Sequence, residues 1–282
     1  MEKSRLFWDK SLFKGCPPFP KAWGCLREWY KSSFGQHLDT LEQQQLDEIL
    51  PNLFGYHIAQ VGLTGELDLL RSSRISHHFV CDFLTEEPLN QAGCKTLPDL
   101  LPLASDSVDV LVLPHVLEFC KAPHDVLREV ERVLIAEGHV VILGFNPFSL
   151  LSLWRVFYAG RRIVPWCGRF FAITRLKDWL SLLGFDFVVT NYYSYRPPIQ
   201  HKGIMRRIQF VEVIASKLMR IFGGSYVIVA RKRTVTLTPL RTQWHAKRVV
   251  AGLVEPMVPH DQNIESHNIR SQNIRSQNKE TK

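Results

Sequence analysis

At 282 residues and 32.6 kDa, the chain is long enough to bury a sizeable core as one enlarged α/β domain or two ordinary domains. Its 45% hydrophobic, 11% aromatic and 22% charged residues exclude collagen-like and wholly disordered classes. The net charge of +8 is unevenly spread: residues 1–50 hold seven Lys/Arg and seven Asp/Glu, residues 51–150 six against thirteen, and residues 151–282 twenty-two against seven. In chain order, the aromatic and Pro-rich start (Phe7, Trp8, Phe13, Pro17, Pro18, Phe19, Pro20, Trp23, Trp29, Tyr30) suits a strap laid over a domain better than a helix or strand. From Leu38 the apolar positions Leu41, Leu46, Ile49 and Leu50 recur at helical spacing until Pro51 stops them. His57 to Gly65 reads as a short strand running into glycines, and Ile75 to Cys81 as a second strand closing on Asp82. Val108 to Leu113 is apolar with one early acid, as a strand buried on both faces should be.

Pro123 then sits at a helix start, with Val126, Leu127, Val130, Val133 and Leu134 on one face and Gly138 as the expected stop. His139 to Phe145 is another buried strand. Thr174 is the expected cap of a helix carrying Leu176, Trp179, Leu180 and Leu183, ended by Gly184. Phe185 to Tyr193 and Ser225 to Ala230 supply two more strands, with an amphipathic stretch from Ile204 to Phe222 between them. Strands alternating with helices imply a mainly parallel α/β sheet. The expected division is a strap and helix over 1–50, a core domain over 51–233 and an extension over 234–282 that ends in a disordered, five-residue polar repeat.

No apolar run reaches the roughly 18 residues of a membrane span, and Met1 to Asp9 lacks the pattern of a secretory signal, so a cytoplasmic protein is expected. Six scattered cysteines with no metal-ligand spacing are expected to be reduced core thiols, with no bound metal. The basic C-terminal half suggests an anionic partner, such as nucleic acid, a phosphorylated substrate or an acidic membrane surface, and serves equally as a solubilising charge.

In an open parallel sheet, ligands bind beyond the carboxyl ends of the strands, which here are Gly62 to Gly65, Asp82, Pro114-His115 and Asn146-Pro147. Glycines let the backbone approach a ligand, and an acid about twenty residues on can accept hydrogen bonds from ribose hydroxyls. Gly62 and Asp82 have that spacing, which is also met by a tight turn followed by a solvated acid.

The stretch Leu100-Leu101-Pro102-Leu103-Ala104-Ser105-Asp106-Ser107-Val108-Asp109, the apolar strand after it and His115 resemble the central motif of the class I S-adenosylmethionine-dependent methyltransferases, type 11 branch. The helix and turn over Leu127 to Val140, Gly144-Phe145-Asn146-Pro147 and Tyr226 to Lys232 extend that resemblance over most of residues 38–240, closest to a bacterial subgroup. It implies a three-layer Rossmann-like sheet, mostly parallel with a reversed last strand, and S-adenosylmethionine as cofactor. By position, Gly62 and Gly65 match the glycine loop beside the methionyl part and Asp82 the ribose acid. Leu100 and Leu101 fall near the adenine pocket, and Pro114 and His115 where cofactor and substrate are contacted. The chain departs from the pattern at Gln60, at the absent middle glycine and at Leu97.

The reaction implied is in-line methyl transfer to an unidentified acceptor. His115 is the candidate base, with Glu118 one helical turn away. Asn146 is a candidate for substrate contact or for capping the loop before Pro147. The segment Ser149 to Phe171 is the expected substrate cover. It interleaves aromatics and arginines, Trp154 and Arg155 among them, which suits base stacking, an anionic surface or plain core packing. A degenerate methyltransferase fold acting as a binding module, and a basic surface binder, are the competing readings.

Overall fold

The structure is a computed structural model and describes residues 17, 19–83, 93–149, 152, 164–194 and 223–233. Two helices come first, α1 (Lys21–Tyr30) and α2 (Ser33–Ile49). Ser32 caps α2, its Oγ accepting from the Gly35 amide at 3.1 Å, and Pro51 lies in the single 3-10 turn that ends the run. The core follows as β1 (His57–Val61), β2 (His77–Phe83), β3 (Cys94–Thr96), β4 (Val108–Pro114), α3 (Val116–Phe119), α4 (Pro123–Val133), β5 (Leu134–Phe145), α5 (Ile173–Leu182), β6 (Phe185–Tyr193) and β7 (Ser225–Lys232).

The seven strands form one sheet in the order β3-β2-β1-β4-β5-β7-β6. Pairs β1/β2, β2/β3, β1/β4 and β4/β5 are parallel, and β7 runs antiparallel to both β5 and β6. This is the mostly parallel Rossmann-like sheet with a reversed last strand. The chain steps outward from β1 to β3 and returns to β4 on the other side of β1, so the switch point lies between β1 and β4. Every residue of β4 is buried, as are the last six of β5 and the first six of β7, which places the core along the middle of the sheet. The register Phe145↔Ser225↔Tyr193 puts the ends of β5 and β6 and the start of β7 on the edge where β1, β2 and β4 also end.

Several local expectations are corrected. Residues 21–30 are helical rather than an irregular strap, because Ala22, Trp23, Leu26 and Tyr30 recur at three- and four-residue spacing and bury one face. The helix after Pro123 ends at Val133, where Leu134 is already extended, and Gly138 lies inside β5. A Cβ on Gly138 would sit 2.9 Å from the Ile135 carbonyl and 3.1 Å from that of Asp109, so close strand packing explains this glycine. Thr174 does not cap α5; Ala172 stands at the N-cap with no side-chain bond. Gly184, at φ +80, does end α5. Cys167 is disulfide-bonded, against the expectation of six thiols, while Cys25, Cys81, Cys94 and Cys120 are free. The Ile204 to Phe222 stretch and the repeat tail lie outside the described residues. Among the described residues no helix is long and apolar enough to cross a membrane.

Candidate functional site

The glycine turn after β1 is built tightly. Gly62 has φ +91, its amide donates to the Cys81 carbonyl at 2.7 Å, and Gln60 Nε2 donates to the Gly62 carbonyl at 2.9 Å. Asp82, the second-to-last residue of β2, is buried and accepts from the Leu63 amide at 3.2 Å, so the acid and the glycine turn do meet.

What faces them is the chain's own N-terminus. A Cβ on Gly62 would lie 2.6 Å from the Trp23 ring and 2.8 Å from Phe83. Trp23 is fully buried and packs edge-on to Phe83 at 4.6 Å, and Phe19 meets the same ring at 4.8 Å. Arg27, one turn further along α1, pairs with Asp82 at 3.1 Å. A Cβ on Gly65 would strike the Asp39 carboxylate of α2 at 2.2 Å, and Asp39 Oδ2 accepts from the amides of Glu66 and Leu67 at 3.1 and 3.3 Å. Burial and the Glu42 charge raise Asp39 to a pKa of about 6, against the pull of those two amides.

Beyond β4, His115 adopts a left-handed backbone at φ 53, uncommon for a residue with a side chain, and its amide donates to Leu143 O at 3.0 Å. The ring is fully buried, stacked on Phe145 at 4.0 Å and held from both sides: Nε2 lies 2.8 Å from Glu42 Oε1 and Nδ1 3.3 Å from Glu118 Oε1. Burial alone would lower its pKa, but the Glu42 charge and the hydrogen bonds with both glutamates outweigh it and raise the imidazole to about 9. His115 is therefore protonated at neutral pH. Tyr30 donates to Glu42 Oε1 at 2.9 Å and the Phe145 amide to Glu118 Oε1 at 2.8 Å. The Oε2 atoms of both glutamates are buried without a hydrogen-bond partner among the described residues.

The other sequence candidates divide. Pro114 ends β4 in the core beside His115. Leu101 is buried, its amide donating to Glu129 at 3.2 Å, whereas Leu100 is 67% exposed. Asn146 ties its own loop, with Nδ2 donating to the Gly223 carbonyl at 2.9 Å and Oδ1 accepting from the Phe148 amide at 3.1 Å. Trp154 and Arg155 lie outside the described residues. At the far end of that segment Trp166, Phe170 and Phe171 are core, and Arg169 donates to the carbonyls of Cys120 and Lys121 at 2.7 and 2.9 Å. Trp23, Arg27, Tyr30, Asp39 and Glu42 were missed by sequence reasoning. The available signal was the stripe Leu38, Glu42, Leu46, Ile49, in which an acid stands at a core position.

A methyltransferase-domain family matches residues 76–142. The uncharacterized protein YafS of Escherichia coli (strain K12) is 31% identical over 233 residues, 82% of this chain and 89% of the relative. The chain belongs to one family with YafS, and residues 76–142 within it match a methyltransferase domain of the class I S-adenosylmethionine-dependent type. Among solved structures, a S-adenosylmethionine-dependent methyltransferase from Thermotoga maritima superposes with a TM-score of 0.52 at 16% identity, covering 75% of this chain and all of that one (100%). A Haloferax volcanii methyltransferase solved with the Trm112 activator gives 0.53 at 15% identity, over 74% of this chain and 98% of its own. At these identities the superpositions establish a shared fold. Family and fold together support methyl transfer from S-adenosylmethionine in general terms.

Proposed function

We propose that this chain transfers a methyl group from S-adenosylmethionine to an acceptor over the ends of β4, β5 and β6, and that α1 and α2 close the cofactor cleft from within. The observation that carries this reading is that every feature suited to the cofactor has an internal stand-in. Trp23 fills the space that Gly62 leaves open, Arg27 donates to Asp82 as ribose hydroxyls would, and the Asp39 carboxylate takes two turn amides as a methionyl carboxylate would. The donor set thus fits the group chemically. Room for it requires α1 to move aside.

When bound, the cofactor supplies an electrophilic methyl on a sulfonium. Asp82 would hold the ribose and the turn from Gly62 to Gly65 would border the methionyl part, with Phe83 as an apolar wall. The chain's further task is alignment and exclusion of water, and orientation alone can supply about 7–11 kcal/mol of barrier lowering. A protonated His115 with both nitrogens engaged is a positioning residue in this scheme: it fixes Glu42 and Glu118. The buried Oε2 atoms of those glutamates are the acceptors able to take a proton from an N–H or O–H nucleophile.

Titration calorimetry with S-adenosylhomocysteine tests the closure. Arg27→Met keeps the apolar stem of the side chain and removes the charge from Asp82, so affinity is expected to rise several-fold over wild type, and adding Asp82→Asn should abolish the gain. Unchanged affinity in Arg27→Met would remove α1 as the competitor. Absence of binding in all three proteins at millimolar ligand would favour the second reading, a binding module. That reading draws on Gln60, whose amide turns inward onto the glycine turn at the position where the family pattern has an acid.

A further inference from the structure

Cys81 and Cys94 face each other across the first register position between β2 and β3. Their Sγ atoms are 2.7 Å apart, well inside the spacing of unbonded sulfurs and approaching the covalent length of about 2.05 Å. Both are free thiols. Directly paired residues of neighbouring strands have the short backbone separation that a disulfide needs, so the bond can close without moving either strand far.

The two sulfurs differ in access. Cys81 is fully buried, and burial together with its neighbour Cys94 holds its thiol far above the usual range. Cys94 is half-buried on a strand of only three residues at the edge of the sheet. An oxidant in solution therefore meets Cys94 first, and Cys81 waits behind it as the resolving thiol.

We propose that Cys81 and Cys94 form a reversible dithiol–disulfide pair that covalently staples β3 to β2 when the protein meets a peroxide. In the first step Cys94 sulfur is oxidised by hydrogen peroxide to a sulfenic acid, with release of one water. In the second, Cys81 sulfur displaces the sulfenic hydroxyl, which leaves as water with the Cys81 proton. The sum is two thiols and one peroxide giving one disulfide and two waters. A small thiol reverses it by exchange.

The staple acts at a sensitive place. In the reduced form β3 is held by three register pairs, with the Gly93 amide donating to Val80 O at 2.7 Å just before it. The Cys81 carbonyl accepts the Gly62 amide, and the next residue is Asp82, so a bond at Cys81 fixes the end of β2 that carries the acid and holds the glycine turn after β1. The inference concerns the two sulfurs alone and stands whether or not the cleft takes S-adenosylmethionine.

The test treats full-length Cys25→Ser protein with a modest excess of hydrogen peroxide, because Cys25 is exposed on α1 and would otherwise react. The expected result is a loss of two hydrogens by intact mass, a peptide pair joining Cys81 to Cys94, recovery with dithiothreitol, and a melting temperature several degrees higher in the oxidised form. Cys81→Ala in the same background should leave Cys94 as a dimedone-reactive sulfenic acid, and wild-type-like circular dichroism guards against misfolding in that variant. Cys94 passing to sulfinic acid with Cys81 still a thiol, or a cross-link from Cys94 to any other cysteine, overturns the proposal.

Discussion

Gly62 is where backbone conformation and side-chain packing impose the same demand. Its φ of +91 disfavours any Cβ, and the space a Cβ would take is held by Trp23 and Phe83. Gly62→Ala should lower stability by about 1–3 kcal/mol, partly from backbone strain and partly from overpacking. Urea unfolding of a double-mutant cycle separates the two. In a Trp23→Leu background the packing share should shrink, giving a coupling of at least about 0.5 kcal/mol. Strict additivity would show that the indole does not press on this glycine. His115 supports a second prediction. Its folded pKa of about 9 lies above the ordinary imidazole value of 6.5, so the folded state binds the extra proton between those values. The stabilisation is fully present below about pH 6.5 and is lost as pH rises through about 9. Melting temperature should fall across that window in wild type and flatten in His115→Gln. A wild-type profile that is level or rising there would contradict the sign.

At the scale of elements, what the sequence made legible and what it hid have distinct physical causes. β4 and β7 could be read because strands buried on both faces are continuous apolar runs, and α4 because Val126, Leu127, Val130 and Val133 repeat at helical spacing. Their order implied the parallel sheet, and the resemblance to the methyltransferase family implied its reversed last strand. β3 was hidden because three residues, Cys94 to Thr96, carry no periodic signal, and its existence depends on pairing with β2. Gly138 misled because glycine serves close packing as well as helix termination. At the site, Gly62, Asp82 and His115 were readable as strand ends, and the first two do converge. The closure was not readable. It depends on Trp23 and Arg27 meeting Gly62 and Asp82 from about forty to fifty-five positions away in sequence, and long-range packing of that kind leaves no local trace. Glu42 and Asp39 are the partial exception, since acids on a buried helix stripe need a partner, but the stripe does not say which one.

For the whole molecule, the charge asymmetry can now be set against the contacts. The described basic residues of the C-terminal half are committed to the protein's own groups. Arg231 pairs with Glu137, Lys232 with Asp106 and Glu131, and Arg233 with Asp186. Arg169 caps two carbonyls, while Arg175 and Lys177 lie over the rings of Trp179 and Phe187. These six account for a minority of the twenty-two Lys/Arg in residues 151–282. If an anionic partner is bound electrostatically, the sixteen others (22 − 6) carry it, and the paired set contributes little. Full-length protein should then be retained on heparin at low ionic strength and released as salt rises, because each phosphate or sulfate contact releases counterions. Charge-removing changes at Arg231 or Lys232 should leave the elution salt nearly unchanged, while Lys202→Ala with Arg206→Ala and Arg207→Ala, basic positions around the start of the Ile204 to Phe222 stretch of the sequence, should lower it. Elution that ignores salt, or that tracks Arg231 and Lys232 instead, would place the positive charge in service of solubility rather than of a partner.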